Sequence, residues 1–391
     1  MGNETVAKTV VVLGAGVGGL TTATRLRGML PEQDRIVLVD RSFDGVLGLS
    51  LLWVMRGWRT ADQVHVRPKP LPGIDMRAAE VRSIDTDNRH VHTDSGSIAY
   101  DALVIALGAG LAPDRVPGLS DVTEAGIAGE FYTLDGADLL HRQLSEVDSG
   151  RITFVVAGVP FKCPAAPFEG ALLAADLLGE LGVRGSVTVD AFTPDPFPMP
   201  VAGPAVGKAL VGMLEQHGIG FHPGKSLELV DARAKQLTFA DGTREPFDFL
   251  VVVPPHQAPA PVRETRLGPM GWIPVDPRTL ASDVPGVWAL GDCSALMLPN
   301  GKPLPKAAVF AEGESEVVAN GVARHLGYDA PEPYFDGNGS CYVEIGGHLA
   351  AKGVGNFLEA PAPSVTLMDP SPEFHREKQD EERAWMERWS G

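Results

Sequence analysis

Residues 9–40 place the strongest constraint on the fold of this chain. Residues 9–13 form a continuous apolar run rich in β-branched side chains, which is typical of a strand buried in a parallel sheet. A glycine-rich turn follows at residues 14–19, then a helix predicted over residues 20–30 and a second strand over residues 35–40 that ends in an acid. This order predicts a strand–turn–helix–strand unit of the kind that binds a nucleotide.

The glycines of this turn have the G-x-G-x-x-G spacing at Gly14, Gly16 and Gly19. The first permits the tight turn, the second lets backbone approach a pyrophosphate, and the third lets the helix pack close to the strand. The N-terminus of the helix also favours phosphates electrostatically. Asp40 lies 21 residues beyond Gly19 (40 − 19), the spacing expected for a carboxylate on a ribose hydroxyl. An α/β turn that binds nothing is the alternative, but the surrounding elements favour nucleotide binding.

Length, charge and cysteine content further restrict the number of domains, the class of partner and the role of any disulfide. A chain of 391 residues is too long for one ordinary core and indicates two or three domains. A net charge of −17 argues against nucleic acid as a partner, because phosphates need a basic surface. Three cysteines do not make a disulfide framework, so any disulfide is expected to be catalytic and not structural. We expect no metal site.

Two later segments have the pattern of buried strands that end in small residues. Residues 100–109 contain Gly108, and residues 287–292 end in Gly291 and Asp292. They resemble the Y-D-x-L-V-I-A-x-G and G-V-x-A-x-G-D patterns of the two-dinucleotide-domain flavoproteins of the glutathione-reductase type. The resemblance implies FAD at the first glycine turn, with Gly108 and Gly291 at the cofactor and the carboxylate of Asp292 on its ribitol.

The same resemblance implies an α/β fold with two Rossmann-like dinucleotide-binding domains and a C-terminal extension. The FAD-binding domain would be discontinuous, over residues 1–118 and 275–329. A second, degenerate dinucleotide-binding-like domain would occupy residues 119–274. Residues 330–391 would form a C-terminal region with an amphipathic tail helix.

The second domain is predicted to begin with a strand over residues 151–158 that leads into an unusual turn. A pyridine-nucleotide loop needs small residues so that backbone amides can approach a pyrophosphate. Here Pro160 has no amide hydrogen and Phe161 is bulky, so we do not expect NAD(P)H to bind. Cys163 stands in place of the glycines. It is either an ordinary buried thiol or, at the end of a central strand where ligands of α/β sheets collect, a reactive one.

A reactive Cys163 requires a thiolate. Lys162 adds positive charge beside it, and the N-terminus of a helix predicted over residues 168–181 would add more if it points at the sulfur. Cys341 is the second candidate, because nearby glycines would let it approach another backbone or a flavin. For Cys293, a buried spectator thiol is favoured over a catalytic one.

Two sequence segments indicate a more specific resemblance. Residues 159–169 read V-P-F-K-C-P-A-A-P-F-E, and residues 305–312 read P-K-A-A-V-F-A-E. Together with Cys341 and the aromatic that follows it, they resemble the sulfide:quinone oxidoreductase and flavocytochrome c sulfide dehydrogenase family. Some members have a third catalytic cysteine before the second glycine loop. This chain has none before Cys163 and resembles the two-cysteine members.

The resemblance implies FAD-dependent oxidation of sulfide, or of a related small sulfur compound, at a Cys163–Cys341 disulfide or a sulfur-bridged form of it. Hydrosulfide would form a persulfide on one cysteine and free the other as a thiolate that passes two electrons to FAD. We expect Cys163 beside the flavin and Cys341 to hold the persulfide, although the opposite order stays open. Glu169 would handle protons or be simply a favourable acid in a first helical turn. Lys306 would lie near the flavin and stabilise its reduced anion, or be a surface lysine.

The resemblance allows a quinone or a cytochrome c as the electron acceptor, and we rank the quinone first because a cytochrome c usually implies export and no signal peptide is visible. The alternative is a flavoprotein subunit of a sulfide dehydrogenase complex, or a redox module, with a soluble protein acceptor. An NAD(P)H-linked disulfide reductase is disfavoured by the turn around Cys163. The apolar residues 45–55 would line a quinone slot or, in the favoured interpretation, pack against the cofactor or core.

The charged tail over residues 374–389 is predicted to be a helix with one apolar edge. This edge would either touch a membrane surface or dock on the protein itself; its residues are Phe374, Lys378, Trp385, Met386 and Trp389. The N-terminus is short and polar, and no apolar run reaches the ~20 residues that span a bilayer. We expect a cytoplasmic protein, with peripheral contact at the inner face of the cell membrane and a homo-oligomer both left open.

Overall fold

The predicted nucleotide-binding strand lies at the centre of a parallel sheet. The computed structural model describes residues 7–268 and 271–390. In spatial order the strands of this first sheet are Val287–Ala289, Ala102–Ile105, Thr9–Leu13, Arg35–Asp40 and Asp75–Ala78. Val11 pairs in parallel with Val37 on one side and Leu103 on the other. Residues 10–13 are fully buried, which explains the unbroken apolar run in the sequence.

A second parallel sheet follows along the chain. Its strands, in spatial order, are Ala128–Gly129, Phe249–Val253, Gly150–Val156, Val187–Phe192 and Ile219–His222. The strand Gly150–Val156 is again central and ends just before the turn that carries Cys163. The predicted α/β class with two parallel sheets is confirmed, while the domain boundaries remain predictions.

Antiparallel strands form smaller units around the two sheets. The three-stranded units are Val81–Asp85 with His90–Thr93 and Gly96–Ala99, Leu227–Asp231 with Gln236–Phe239 and Arg244–Pro246, and Asn338–Gly346 with Leu349–Asn356 and Ser364–Ser371. Short pairs join Gly45–Val46 to His65–Val66, Gly110–Leu111 to His256–Gln257, and Ile273–Val275 to Ser294–Leu296. We call the unit from 338 to 371 the C-terminal sheet.

Helices connect the strands and cover the sheets. The α-helices of the described residues are Val17–Met29, Gly48–Arg56, Ala61–Val64, Leu119–Glu124, Leu134–Ser145, Ala166–Glu180, Pro204–Gln216, Ala260–Arg263, Ala308–His325 and Pro372–Trp389. Short 3₁₀ helices occur at Pro113–Arg115, Arg184–Ser186 and Gly291–Cys293. The helix predicted over 168–181 begins two residues earlier, because Pro167 is compatible with a first helical turn.

The apolar segment over residues 45–55 belongs mainly to the core. Its helix Gly48–Arg56 buries Trp53 and Met55 almost completely. This agrees with the packing interpretation that we favoured for the segment.

The tail helix Pro372–Trp389 docks on the protein itself. The Oγ of Ser371 accepts a hydrogen bond from the backbone N–H of Phe374 and so caps its start. Lys378 and Trp389 are buried, 3% and 2% exposed, and Trp385 packs against the same core as Trp389. The edge predicted as an alternative membrane contact is therefore turned towards the protein, because its aromatic side chains find apolar partners there.

Among the helices of residues 7–268 and 271–390, none combines the length and apolar character needed to cross a bilayer. The polar N-terminal residues 1–6 lie outside the described residues, as do residues 269, 270 and 391.

Candidate active site

The first glycine turn is packed so tightly that side chains are excluded at two positions. Gly14 has φ +95°, and its N–H donates to the carbonyl oxygen of Val39 over 2.8 Å. A Cβ on Gly14 would collide with the backbone oxygen of Ala106, and one on Gly19 would collide with the oxygen of Gly14. The turn and the helix contact predicted from the spacing of these glycines are therefore present.

Gly16 has a different environment, because a Cβ built on it would meet no atom within 4 Å. It is the N-cap of the helix Val17–Met29, and no side chain caps the helical amides there. The carboxylate of Asp40 reaches the same turn and accepts a hydrogen bond from the N–H of Ala15 over 2.8 Å. Open space, free helical amides and a nearby acid suit the phosphates and ribose of a nucleotide.

A second group of predicted residues lies where the strand Val287–Ala289 ends. Gly291 has φ +68°, and its N–H donates to Oε2 of Glu314 over 2.7 Å. The Nζ of Lys306 donates to the backbone oxygen of Asp292 over 2.6 Å. Burial raises the pKa of the Asp292 carboxyl, and the positive charges of Lys162 and Lys306 oppose that rise. Two cations and a carboxylate thus face one another at the position predicted for the cofactor.

Gly108, the other predicted cofactor residue, follows the strand Ala102–Ile105 of the first sheet. It has φ +67°, and a Cβ on it would meet no atom within 4 Å. It therefore borders free space at the carboxyl end of the sheet, as Gly16 does.

Cys163 lies between the central strand of the second sheet and the helix Ala166–Glu180. It has φ +53°, and its carbonyl oxygen accepts a hydrogen bond from the N–H of Ala166 over 2.9 Å. Its own N–H donates to the carbonyl oxygen of Lys306 over 2.7 Å. This bond joins the turn of Cys163 directly to the segment that carries the cofactor-side lysine.

Cys341 lies on the first strand of the C-terminal sheet, opposite Gly353. A side chain on the neighbouring Gly339 would collide with the ring of Phe310, so this glycine lets the strand approach the helix Ala308–His325 closely. The same strand also packs against the helix Ala166–Glu180, which begins beside Cys163. Cys163 and Cys341 are both half-buried free thiols in this structure.

The two thiols lie among the same charged groups. Burial raises the pKa of the Cys163 thiol to about 11, the negative charge of Glu169 adds to the rise, and the ammonium of Lys378 opposes it. Burial also raises the pKa of Cys341, and the negative charges of Cys163 and Glu169 add to it. Cys163, Cys341 and Glu169 therefore lie close enough for their charges to act on one another.

The expectation for Lys162 was wrong. Its Nζ lies 3.5 Å from the carbonyl oxygen of Ala109 and 5.9 Å from the ring centroid of Tyr132, and its charge is not among those that act on the Cys163 thiol. The cation that lowers the thiol pKa of Cys163 is Lys378 of the tail helix, assisted by backbone N–H groups at the start of the following helix. The reason is that the side chain of Lys162 extends to the carbonyl oxygen of Ala109, whereas the tail helix places Lys378 against Glu169 and within range of the thiol.

Glu169 is buried, 2% exposed, and its Oε1 lies 2.5 Å from the Nζ of Lys378. Burial raises the pKa of the Glu169 carboxyl, and Lys378 opposes the rise. Lys378 has no role in the sequence prediction beyond the apolar edge of the tail. Its distance from Glu169 in the chain, 209 residues, left no local signal for the pairing.

Two other polar side chains near Lys162 also escaped the sequence prediction. The hydroxyl of Tyr132 and Nε2 of His256 are buried and have no hydrogen-bond partner among the described residues. Their rings lie 4.7 Å apart, and burial with the charge of Lys162 lowers the pKa of His256 to about 4. Because buried polar atoms are normally satisfied, these two are candidates for contact with a ligand.

Cys293 does not belong to the thiol pair. It is fully buried, and its Sγ lies 3.3 Å from the carbonyl oxygen of Ile105 in the first sheet. This is the spectator role that the sequence favoured.

Comparison with known proteins identifies the family of the chain. The family model described as pyridine nucleotide-disulphide oxidoreductase matches residues 8–315. The chain belongs to this family. FAD is the cofactor indicated for this oxidoreductase, as predicted.

This oxidoreductase is similar to several sulfide:quinone oxidoreductases. It is 25% identical to the mitochondrial enzyme of Mus musculus over 86% of this chain and 75% of the mouse protein. It is 31% identical to a sulfide-quinone reductase of Aquifex aeolicus over 49% of this chain and 44% of the relative. The solved structure of the sulfide:quinone oxidoreductase from Aquifex aeolicus superimposes with a TM-score of 0.81 at 21% identity, covering 98% of this chain and 92% of that one. The resemblance predicted from the sequence is confirmed.

The residues present fit FAD. The open space at Gly16 and the uncapped helical amides would take the pyrophosphate, and Asp40 lies at the same turn for the ribose. Asp292 would hold the ribitol, and Lys306 would lie beside the ring system.

Proposed function

We propose that this chain oxidises sulfide, or a related small sulfur compound, through Cys163 and Cys341 and passes the electrons by way of FAD to a quinone. The names of its relatives support sulfide as the substrate and quinone as the acceptor. The roles of individual residues are inferred from the geometry of the site.

The observation that carries the proposal is the hydrogen bond from the N–H of Cys163 to the carbonyl oxygen of Lys306. The side chain of Lys306 in turn donates to the backbone of Asp292 at the cofactor position. A thiol is thereby fixed beside the cofactor-binding segment without any intervening layer of protein. The second thiol belongs to the same site, because the charges of Glu169 and Lys378 act on both thiols.

Thiol–disulfide exchange describes the first step at the oxidised cysteine pair. Hydrosulfide attacks the bond between Cys163 and Cys341, so that this S–S bond breaks and a new one forms between the substrate sulfur and one cysteine. The other cysteine leaves as a thiolate. We place the persulfide on Cys341 and the thiolate on Cys163, because Cys163 is the one bonded to the Lys306 segment.

The remaining charges support the transfer of electrons and protons. FAD, when bound, would supply the two-electron chemistry that links the substrate sulfur to the quinone. Lys162 and Lys306 supply positive charge at the cofactor position, which stabilises negative charge arising there. Glu169 accepts the proton that the persulfide loses, because burial gives its carboxyl a raised pKa.

The turn before Cys163 distinguishes this proposal from an NAD(P)H-linked reductase. Pro160 offers no amide hydrogen, and Phe161 is bulky where a pyrophosphate loop needs small residues. Peripheral contact with a membrane surface would give access to a quinone dissolved in the bilayer, and homo-oligomerisation stays a prediction.

Anaerobic addition of sulfide to the FAD-loaded protein tests the proposal. We expect the visible absorption band of oxidised flavin to bleach promptly in the parent chain and in Cys293→Ser, but not in Cys163→Ser. Cys293 is the matched control because it is a buried cysteine outside the thiol pair. Persistent flavin absorbance with excess sulfide, or rapid bleaching by NADH alone, would contradict the proposal.

A further inference from the structure

A row of ionisable side chains leads away from the two thiols. The Nζ of Lys378 lies 2.5 Å from Oε1 of Glu169 and 3.8 Å from Oε1 of Glu344. On the far side of Glu344, Nδ1 of His375 lies 2.9 Å from Oε1 and 3.0 Å from Oε2. The Nε2 of His375 is then 3.3 Å from Nδ1 of His348. Each group in the row is within or close to hydrogen-bond distance of the next.

The two ends of the row have opposite environments. At the inner end, Glu169 and Lys378 are the charged groups that act on the pKa of both Cys163 and Cys341. At the outer end, His348 is exposed and lines an open surface groove of about 390 Å³. The other groove residues include Arg56, Trp58, Asp176 and Glu180. The row therefore connects a buried site to the protein surface.

The charged groups at the inner end of the row can accept one additional proton. Glu169 and Glu344 are two carboxylates facing a single ammonium, that of Lys378. All three are buried, and burial raises the pKa of both carboxyls. Burial and the cations of Lys378, Arg59 and Arg376 lower the pKa of His375, so the imidazole is neutral at rest. A proton arriving at Glu169 would remove an unbalanced buried charge.

Neighbouring elements hold these groups in place. The indole N–H of Trp53 donates to Oε1 of Glu344, and its ring lies 4.9 Å from the Nζ of Lys378. Glu382 of the tail helix accepts from Ser50 and pairs with Arg59 at 2.8 Å, so its charge is balanced separately. Because a buried ion pair contributes little net stability compared with apolar packing, the extent of this row calls for a role other than stability.

We propose that Glu169, Lys378, Glu344, His375 and His348 form a proton exit from the thiol pair to the surface, an inference that rests on the proposed sulfide oxidation. In each turnover hydrosulfide is converted into bound zero-valent sulfur, one proton and two electrons. The electron pair leaves through the cofactor to the quinone, and the proton is accepted by Glu169. Lys378 passes a proton to Glu344 and is recharged from Glu169, and His375 carries the proton on to His348 and solvent.

His375→Ala is the most direct test, because this side chain is the connection between the buried carboxylates and His348. We expect turnover with sulfide and a short-chain quinone to fall about tenfold or more. Imidazole added to the buffer should restore most of the rate, because it is a diffusible proton carrier of the same shape as the deleted ring. His92→Ala is the control, because His92 is an exposed histidine of the hairpin over residues 90–99. This substitution should not lower the turnover rate, and imidazole should not alter the rate of the variant.

A second measurement needs no sulfide chemistry. After a jump to alkaline pH, thiolate formation is followed by ultraviolet absorbance. The signal is the difference in absorbance between each protein and a counterpart that lacks both Cys163 and Cys341. We expect the approach to equilibrium to be slower in His375→Ala and restored by imidazole. The final amplitude should not change, because His375 is not among the groups that set the pKa of either thiol.

The two measurements separate the possible failures. Unchanged rates in His375→Ala, or a loss that imidazole does not restore, would overturn the proton exit. If the parent chain shows no flavin bleaching with sulfide but its pH-jump rate depends on His375 as described, the proton exit stands and the proposed substrate is wrong. A changed thiolate amplitude in His375→Ala would assign His375 to the thiol environment and would also overturn the exit.

Discussion

Gly16 and Gly19 are three positions apart and lack a side chain for opposite reasons. A side chain on Gly19 would collide with the backbone of Gly14, whereas one on Gly16 would extend into empty space. The packing of the protein itself therefore requires glycine at position 19, and we propose that a bound nucleotide requires it at position 16.

Valine substitutions should separate these two roles. We expect Gly16→Val to fold with a loss of about 1 kcal/mol at the helix start but to lose FAD. Gly19→Val should be destabilised by roughly 1–3 kcal/mol or more, because the helix must move away from the strand. The measurements are the flavin-to-protein absorbance ratio and chemical denaturation of the flavin-free proteins. Normal flavin content in Gly16→Val would contradict the assignment of this turn.

At the scale of elements, the tail helix covers the protein surface and also contributes a buried positive charge to the interior. Lys378 is 3% exposed and pairs with Glu169 of the helix Ala166–Glu180. This contact joins two residues that are 209 positions apart in the sequence. The stability of the tail helix and the electrostatics of the thiol site are consequently coupled.

Removing one partner of this pair should cost more than removing both charges. We expect Lys378→Met to lower the free energy of unfolding by roughly 3–5 kcal/mol, because Glu169 is left buried without its cation. Adding Glu169→Gln should recover part of that loss. Lys352→Met is the matched control, since Lys352 pairs with Glu377 of the same helix but at a more exposed position. Additive effects of the two substitutions, measured by denaturation, would show that the pair is not coupled.

Sequence patterns predicted the elements better than their long-range contacts. The first strand, the glycine turn and the helix after Cys163 follow local rules of apolar periodicity and glycine spacing, so they could be placed within a few residues. The pairing of Lys378 with Glu169 could not be predicted, because no local sequence pattern around either residue indicates the other. The same is true of Tyr132 and His256, which meet only when the second sheet forms.

At the scale of the whole molecule, burial of acids makes stability depend on pH. Glu314 is 2% exposed, and burial with the charge of Asp292 raises its pKa to about 7 from an ordinary 4.5. Burial likewise raises the pKa of Glu169 and Glu344. A carboxyl whose pKa is higher in the folded state binds its proton more tightly there. Its contribution to stability is thus fully present below about pH 4.5 and is lost as the pH rises through about 7.

Glu314→Gln should make the unfolding free energy less dependent on pH in that interval. The glutamine keeps an oxygen for the N–H of Gly291 but cannot ionise, so the decline between pH 4.5 and 7 should shrink by roughly 3 kcal/mol. The measurement is denaturation at a series of pH values. Glu316→Gln is the control, because Glu316 lies on the same helix with its side chain 60% exposed. A profile for Glu314→Gln that overlays the parent would refute the assignment.

The order of synthesis gives the position of Lys378 a further meaning. A ribosome adds this lysine 215 residues after Cys163 (378 − 163), when both parallel sheets have already been translated. Until then Glu169 and the two thiols lack the ammonium that opposes the rise in their pKa. The electrostatic environment of these three groups is therefore complete only once the tail helix has been synthesised and has docked on the rest of the molecule.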